Sequence, residues 1–145
     1  SFSEFIQREL QSIGLTIRIE VMPPSSLKTA KSNGKVDLFR ASWVADYPDA
    51  QNYLSLFYSG NFAPNGPNYT HFKDAQFDLW YEQALLETDL TKRIDLYQKM
   101  DALVIKKAPV VVLFYDEVVR FTPIAVKGLG INPTNLLDLK NVQKN

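Results

Sequence analysis

The side chains with the greatest chemical reach gather in one run, Arg40-Ala-Ser-Trp43-Val-Ala-Asp46-Tyr47-Pro48-Asp49-Ala-Gln-Asn52-Tyr53-Leu54. A cation, an indole and a carboxylate follow one another at intervals of three. On a strand, residues three apart point to opposite faces, so Arg40 and Trp43 diverge unless the strand ends or bends. Pro48 supplies the break, because its ring fixes its own φ and biases Tyr47 away from helix. A positive group, an aromatic plate and a negative group around the mouth of a strand are the makings of a ligand site more than of a catalytic one.

Each residue also has a plainer reading. Asp46 and Asp49 together could do acid–base work or hold a hard cation, but their spacing in a proline turn fits neither a glycosidase pair nor a calcium loop. Turns use Asp for local backbone hydrogen bonds, which suits Asp49. Asp46 directly follows an apolar run, where parallel sheets present ligands. Arg40, flanked by Leu38, Phe39 and Ala41, is expected to be buried. A buried guanidinium needs a partner: Asp37 or another internal acid, or else a ligand carboxylate that matches its planar fork. Trp43 is either core or the apolar wall of a side-chain pocket. His71, the single histidine, has no second histidine or cysteine for a metal and is expected in an exposed loop. Lys127-Gly-Leu-Gly130 is too short and solitary to cradle phosphate. No metal, cofactor or catalytic residue is expected.

The elements that must position this run follow from periodicity. Phe2, Phe5, Ile6, Leu10 and Ile13 recur at helical spacing, closed by Gly14. Leu15, Ile17, Ile19 and Val21 alternate with polar residues as in a half-buried strand. After Pro23-Pro24, Ser25 or Ser26 can cap a short helix ending near Asn33-Gly34. Val36 to Trp43 reads as a second strand, so the opening forms a βαβ unit with parallel, right-handed pairing. Residues 46–73 are rich in turn formers, with a short helix expected within Asp49 to Tyr58. Asp74 and Asp89 are expected to cap two helices. The first carries Phe77, Tyr81, Ala84 and Leu85 inward. The second carries Ile94, Tyr97, Leu103 and Val104 and ends before Pro109. Val110 to Phe114 reads as a strand buried on both faces, and Val118 to Phe121 and Ile124 to Val126 as short strands. The tail, with Gly128, Gly130, Pro133 and Asn135, is expected to be irregular. The class is α/β.

Bulk composition closes off several functions. The 145 residues suit one compact domain, and 16 basic residues balance 16 acidic ones, so no strong field invites nucleic acid or an anionic membrane. No apolar run approaches the roughly 20 residues that span a bilayer. Without cysteine there is neither thiol catalysis nor a disulfide. The abrupt helical start suggests a fragment or processed product.

The run Arg40 to Leu54 closely resembles the corresponding segment of the bacterial extracellular solute-binding proteins, family 5, the dipeptide- and oligopeptide-binding components of ABC importers. The resemblance extends to Phe5 through Gly14, Phe77-Asp78 through Asp89, Leu96-Tyr97-Gln98, Ala108-Pro109 to Tyr115 and Val126 to Leu129. It implies a C-terminal fragment of a periplasmic-binding-protein-like lobe (type II, cluster C): a βαβ unit, two helices and closing strands. Residues 1–117 would belong to the ligand-binding lobe, and residues 118–145 would be a tail that returns to the other lobe of a longer, two-lobed protein. It further implies a transport role outside the cytoplasm, periplasmic or as a membrane-anchored lipoprotein, with importer permease subunits as partners, and no enzymatic activity. In that frame Asp46 holds a peptide's α-ammonium, Arg40 meets its carboxylate and Trp43 lines a side-chain pocket. The backbone at Ser42 and Val44 pairs with the extended peptide as an added strand would. Relatives that carry nickel complexes, haem, opines or oligosaccharides keep a non-peptide solute as the alternative, and a small α/β hydrolase using Asp46 and Asp49 as a remote one. Val118, Val119, Phe121, Ile124 and Val126, without the other lobe, are expected either to pair with a second copy or to fold back.

Overall fold

The computed structural model describes residues 1–115, 117–132 and 136–144. Helix α1 (Phe2–Ser12) starts at a capping box, in which Ser1 receives the Glu4 N–H and Glu4 reaches back to the N-terminus. Gly14, at φ 89°, turns the chain out of it. Helix α2 (Pro24–Ser32) begins on Pro24, whose missing N–H is no loss in a first turn. No side chain caps it, so Ser25 and Ser26 lie inside the helix rather than at its head. Helix α3 (Gln51–Leu54) follows the proline turn, within the window expected for it.

Helices α4 (Ala75–Leu86) and α5 (Leu90–Lys107) form the body. Asp74 accepts the Gln76 and Phe77 N–H groups at 2.9 and 3.1 Å, and Asp89 accepts those of Thr91 and Lys92 at 2.9 and 3.3 Å. Both aspartates are therefore caps, as expected. Ala108 ends α5 in the left-handed region, one residue before Pro109.

The core lies between α4, α5 and α3. Leu54, Phe77, Tyr81, Ala84, Met100 and Val104 are buried, with Phe77 and Met100 fully so. Full burial of such a side chain is worth roughly 1.5–3 kcal/mol. Phe77 meets Phe57 and Phe72 edge-on, with ring centroids 6.4 and 5.7 Å away. The connecting loop is stitched to this body by Asn68, fully buried, which donates to the Tyr58 and Phe72 carbonyls at 3.1 and 3.0 Å. Ser59 adds two hydrogen bonds to Asp78 of α4. That network explains how a long, turn-rich stretch holds one shape.

The expected helix faces need correction in three places. Leu85 and Ile94 are exposed, while Met100, fully buried, takes the central inward place on α5. Tyr97 and Leu103 pack half-buried against the core. Helix α1 buries none of its residues, with only Ile6, Gln7 and Leu10 half-covered.

The strands differ most from expectation. Neither Leu15 to Val21 nor Val36 to Trp43 forms a ladder, so the βαβ unit is represented by its helix and two segments that are neither helix nor strand. Val110 to Phe114 is no buried strand either: Val111 is 79% exposed and Phe114 57%. Nor does Val118 to Phe121 form one. The physical cause is that a strand exists through its neighbours. Parallel strands are stable when several pair and both faces are covered, and no such cover lies over these segments among the described residues. The sheet that forms among the described residues is small and antiparallel, β1 (Val126–Lys127) with β2 (Gln143–Lys144), Val126 opposite Lys144. Pro133 and Asn135, expected in an irregular tail, lie outside the described residues.

Candidate functional site

The run from Arg40 to Leu54 crosses from backbone without ladder partners into α3. Arg40 is exposed, contrary to the burial expected from its apolar neighbours, and its guanidinium carbon stands 5.0 Å from the centre of the Phe2 ring of α1. A cation over a ring face satisfies the charge with no acid partner. Trp43 is 37% exposed, and its indole N–H donates to the side-chain oxygen of Asn52 at 2.6 Å. Asp46 is exposed, with no hydrogen bond or ion pair among the described residues. Ser42 and Val44 are exposed as well. Arg40 and Trp43 are thus tied to different elements, and Asp46 faces water between the segment and the turn. Two open hollows, about 440 and 390 Å³, lie elsewhere, one where α4 meets α5 and one along α2, and neither is lined by any of the three.

The turn that follows is anchored firmly. Asp49 accepts the Gln51 N–H at 2.9 Å, the local backbone bond expected of a turn aspartate, and its second oxygen lies 3.5 Å from Arg93 of α5. Tyr97, one turn further along α5, has its hydroxyl pKa pushed up to about 12, first by burial and then by the Asp49 carboxylate beside it. Tyr47 donates to Gln51, whose amide donates in turn to the Tyr81 hydroxyl in the core. Leu54 completes the attachment by entering the core itself. Asp49 is therefore committed to holding α3 on α5, which leaves no carboxylate pair with Asp46 for acid–base chemistry.

His71 is half-buried instead of exposed, with Nε2 3.2 Å from the Ala63 carbonyl and its ring edge-on to Phe62 at 5.3 Å. Among the described residues, no group of three or more His, Cys, Asp or Glu comes together as a metal site would require. Among those residues, too, no helix is long and apolar enough to cross a membrane.

Asn52 and Arg93 are the residues that sequence reasoning passed over. Asn52 is 3% exposed, although an Asn beside a proline turn reads as a surface residue. Its proximity to the motif was the available signal, but no periodicity shows which polar group faces inward in a helix of one turn. Arg93 pairs with a residue 44 positions earlier, and local pattern carries no trace of such a pairing.

Comparison with known proteins agrees with this architecture. Residues 2–65 match the model of the bacterial extracellular solute-binding proteins, family 5, middle part. The dipeptide-binding protein DppE of Bacillus subtilis is 27% identical over 99% of this chain, which spans 26% of that protein. A probable deoxycholate-binding periplasmic protein, YgiS of Escherichia coli, is 29% identical over 90% of this chain and 24% of its own length. The periplasmic oligopeptide-binding protein OppA of Salmonella typhimurium is 26% identical over 91% of this chain. The chain therefore spans about a quarter of the length of the curated relatives it matches. The structure of HbpA2 from Haemophilus parasuis superposes on 99% of the chain with TM-score 0.80 at 18% identity, covering 28% of that chain. An unliganded open form of the murein tripeptide binding protein MppA covers 74% of it with TM-score 0.68. The fold is thus part of a periplasmic-binding-protein-like lobe, as the sequence implied, even though its ladder is not formed. Together these matches make the chain similar to the bacterial extracellular solute-binding proteins, family 5, by the family model over residues 2–65 and by the curated relatives over nearly its whole length.

Proposed function

We propose that the chain is part of the substrate-binding component of an ABC importer, working outside the cytoplasm, and that its solute is a peptide. The observation that carries the reading is the exposed segment from Arg40 to Asp46, which offers a guanidinium, an indole face, a free carboxylate and backbone without ladder partners within seven residues. Those groups answer the parts of an extended peptide. Asp46 pairs with the α-ammonium, and Arg40 exchanges the Phe2 ring for the ligand carboxylate. Trp43 lies along a side chain, and the backbone at Ser42 and Val44 bonds the peptide main chain. Main-chain recognition tolerates varied sequences, and the names of DppE and OppA support peptide as the solute class. The role is capture and release, with no chemical step on the ligand. The permease subunits of the importer are the partners of the whole protein.

A second reading has one specific support, the relative named for deoxycholate. An amphipathic acid of that kind would place its carboxylate on Arg40 and its apolar face on Trp43, leaving Asp46 unused. The experiment that separates the two incubates the whole protein with a library of tripeptides, free or N-acetylated, and with deoxycholate, and reads bound ligand by mass spectrometry. Free tripeptides retained intact, with acetylated ones rejected, are the expected result. Retention of deoxycholate alone would replace the peptide reading, and hydrolysed peptide would refute the binding role.

A further inference from the structure

The Trp43 indole is held by a buried group. Asn52 is 3% exposed, and its amide oxygen receives the indole N–H at 2.6 Å. A buried carbonyl left without a donor carries a desolvation penalty, so this oxygen draws the indole to one point. Asn52 is itself fixed. Its N–H donates to the Asp49 carbonyl at 3.1 Å, and its own carbonyl accepts the Ser55 hydroxyl at 2.8 Å. Leu54 sits two residues on in the core, and Asp49 reaches Arg93 of α5. The segment carrying Trp43, residues 41–46, has neither helix nor ladder to fix it. An aromatic side chain on such a segment would sample several rotamers and lose that freedom on binding.

We propose that Asn52 is a positioning residue, fixing the Trp43 indole edge-in so that its exposed face is already presented to the ligand; this rests on the peptide-binding reading above. Asn52 does not meet the ligand, because it is buried under the indole. Its effect on the ligand is routed through the indole N–H that it accepts. The clamp also joins the irregular segment to α3, and through Asp49 to α5, so the plate is placed by the folded body.

The test exploits the chain's two tryptophans, Trp43 and Trp80, whose indole N–H resonances are told apart with Trp80→Phe. Asn52→Leu is expected to speed hydrogen exchange of the Trp43 indole at least about tenfold, the size expected for loss of one buried hydrogen bond. Asn52→Asp keeps an oxygen acceptor and should restore slow exchange. Asn52→Ala is the second variant if leucine prevents folding. In the whole protein, Asn52→Leu should weaken binding of the free tripeptide library about tenfold, and should have little further effect in a Trp43→Phe background, where no N–H remains to hold. Unchanged indole exchange in Asn52→Leu and Asn52→Ala would overturn the clamp. A full tenfold loss in the Trp43→Phe background would overturn the route through Trp43. Failure of the wild-type protein to bind any tripeptide would overturn the peptide reading instead, and indole exchange would still decide whether Asn52 holds Trp43.

Discussion

Replacing Phe77 by alanine tests whether α3, and with it the candidate site, depends on the aromatic core. Phe77 is fully buried, 6.4 Å from the Phe57 ring, 5.7 Å from Phe72 and 6.3 Å from Tyr81. Deleting a buried phenylalanine ring costs about 3–5 kcal/mol, the spread reflecting how far the surroundings collapse. Collapse is restricted here. Phe72 is held by the Asn68 bond to its carbonyl, and Tyr81 by its bond to Gln51, so the neighbours cannot readily fill the void. The upper part of that range is therefore expected, about 4 kcal/mol. With a urea slope of about 2 kcal/mol/M, the midpoint should fall by about 2 M at unchanged slope. Phe77→Leu keeps most of the apolar volume and loses two edge-on ring pairs and the stack on Tyr81, so its cost should be about 1–3 kcal/mol. Urea unfolding followed by far-UV circular dichroism gives both values. A loss below about 1.5 kcal/mol for Phe77→Ala, or equal losses for alanine and leucine, would refute a rigid aromatic core.

Three further outcomes are expected. Asp46→Asn should leave the urea midpoint unchanged, since the side chain is exposed without a partner, yet weaken peptide binding by the whole protein tenfold or more; calorimetry with equal affinity for both forms would dismiss the ammonium pairing. The Asp74 carboxyl is held below its usual value, first by the Phe77 N–H, against an opposing effect of burial, and further by the Gln76 N–H and Lys107. Its stabilisation is thus complete above the unfolded carboxyl value and lost as pH falls through the lower folded one. Asp74→Asn, which retains a capping oxygen, should flatten the acid limb of the stability–pH curve, and an identical limb would contradict the pairing. Val118, Val119, Phe121 and Ile124 are 56–93% exposed, so pairing with a second copy through residues 118–126 is expected; a clean monomer by light scattering at high concentration, with that stretch protected from protease, would favour a fold-back.

What could be read from the sequence was local. Helices form bonds within a few residues, so the spacing of Phe77, Tyr81 and Ala84, the caps at Asp74 and Asp89 and the stops at Gly14 and Pro109 were legible directly. The run from Arg40 to Leu54 stood out as a candidate too, because its residue types can be recognised whatever surrounds them. The strands were not. Their alternation declares a face to be covered but not whether anything covers it, and Leu15 to Val21 and Val36 to Trp43 remain without a ladder. Tertiary structure alone decided which way each candidate side chain turns. Arg40 rests on Phe2, 38 residues earlier, instead of in the core; Asp49 reaches Arg93, 44 residues later; and Trp43 is held by an asparagine whose burial no pattern announces. Such contacts join residues far apart in the chain, and their partners are chosen by packing geometry, which exists only once the helices have docked.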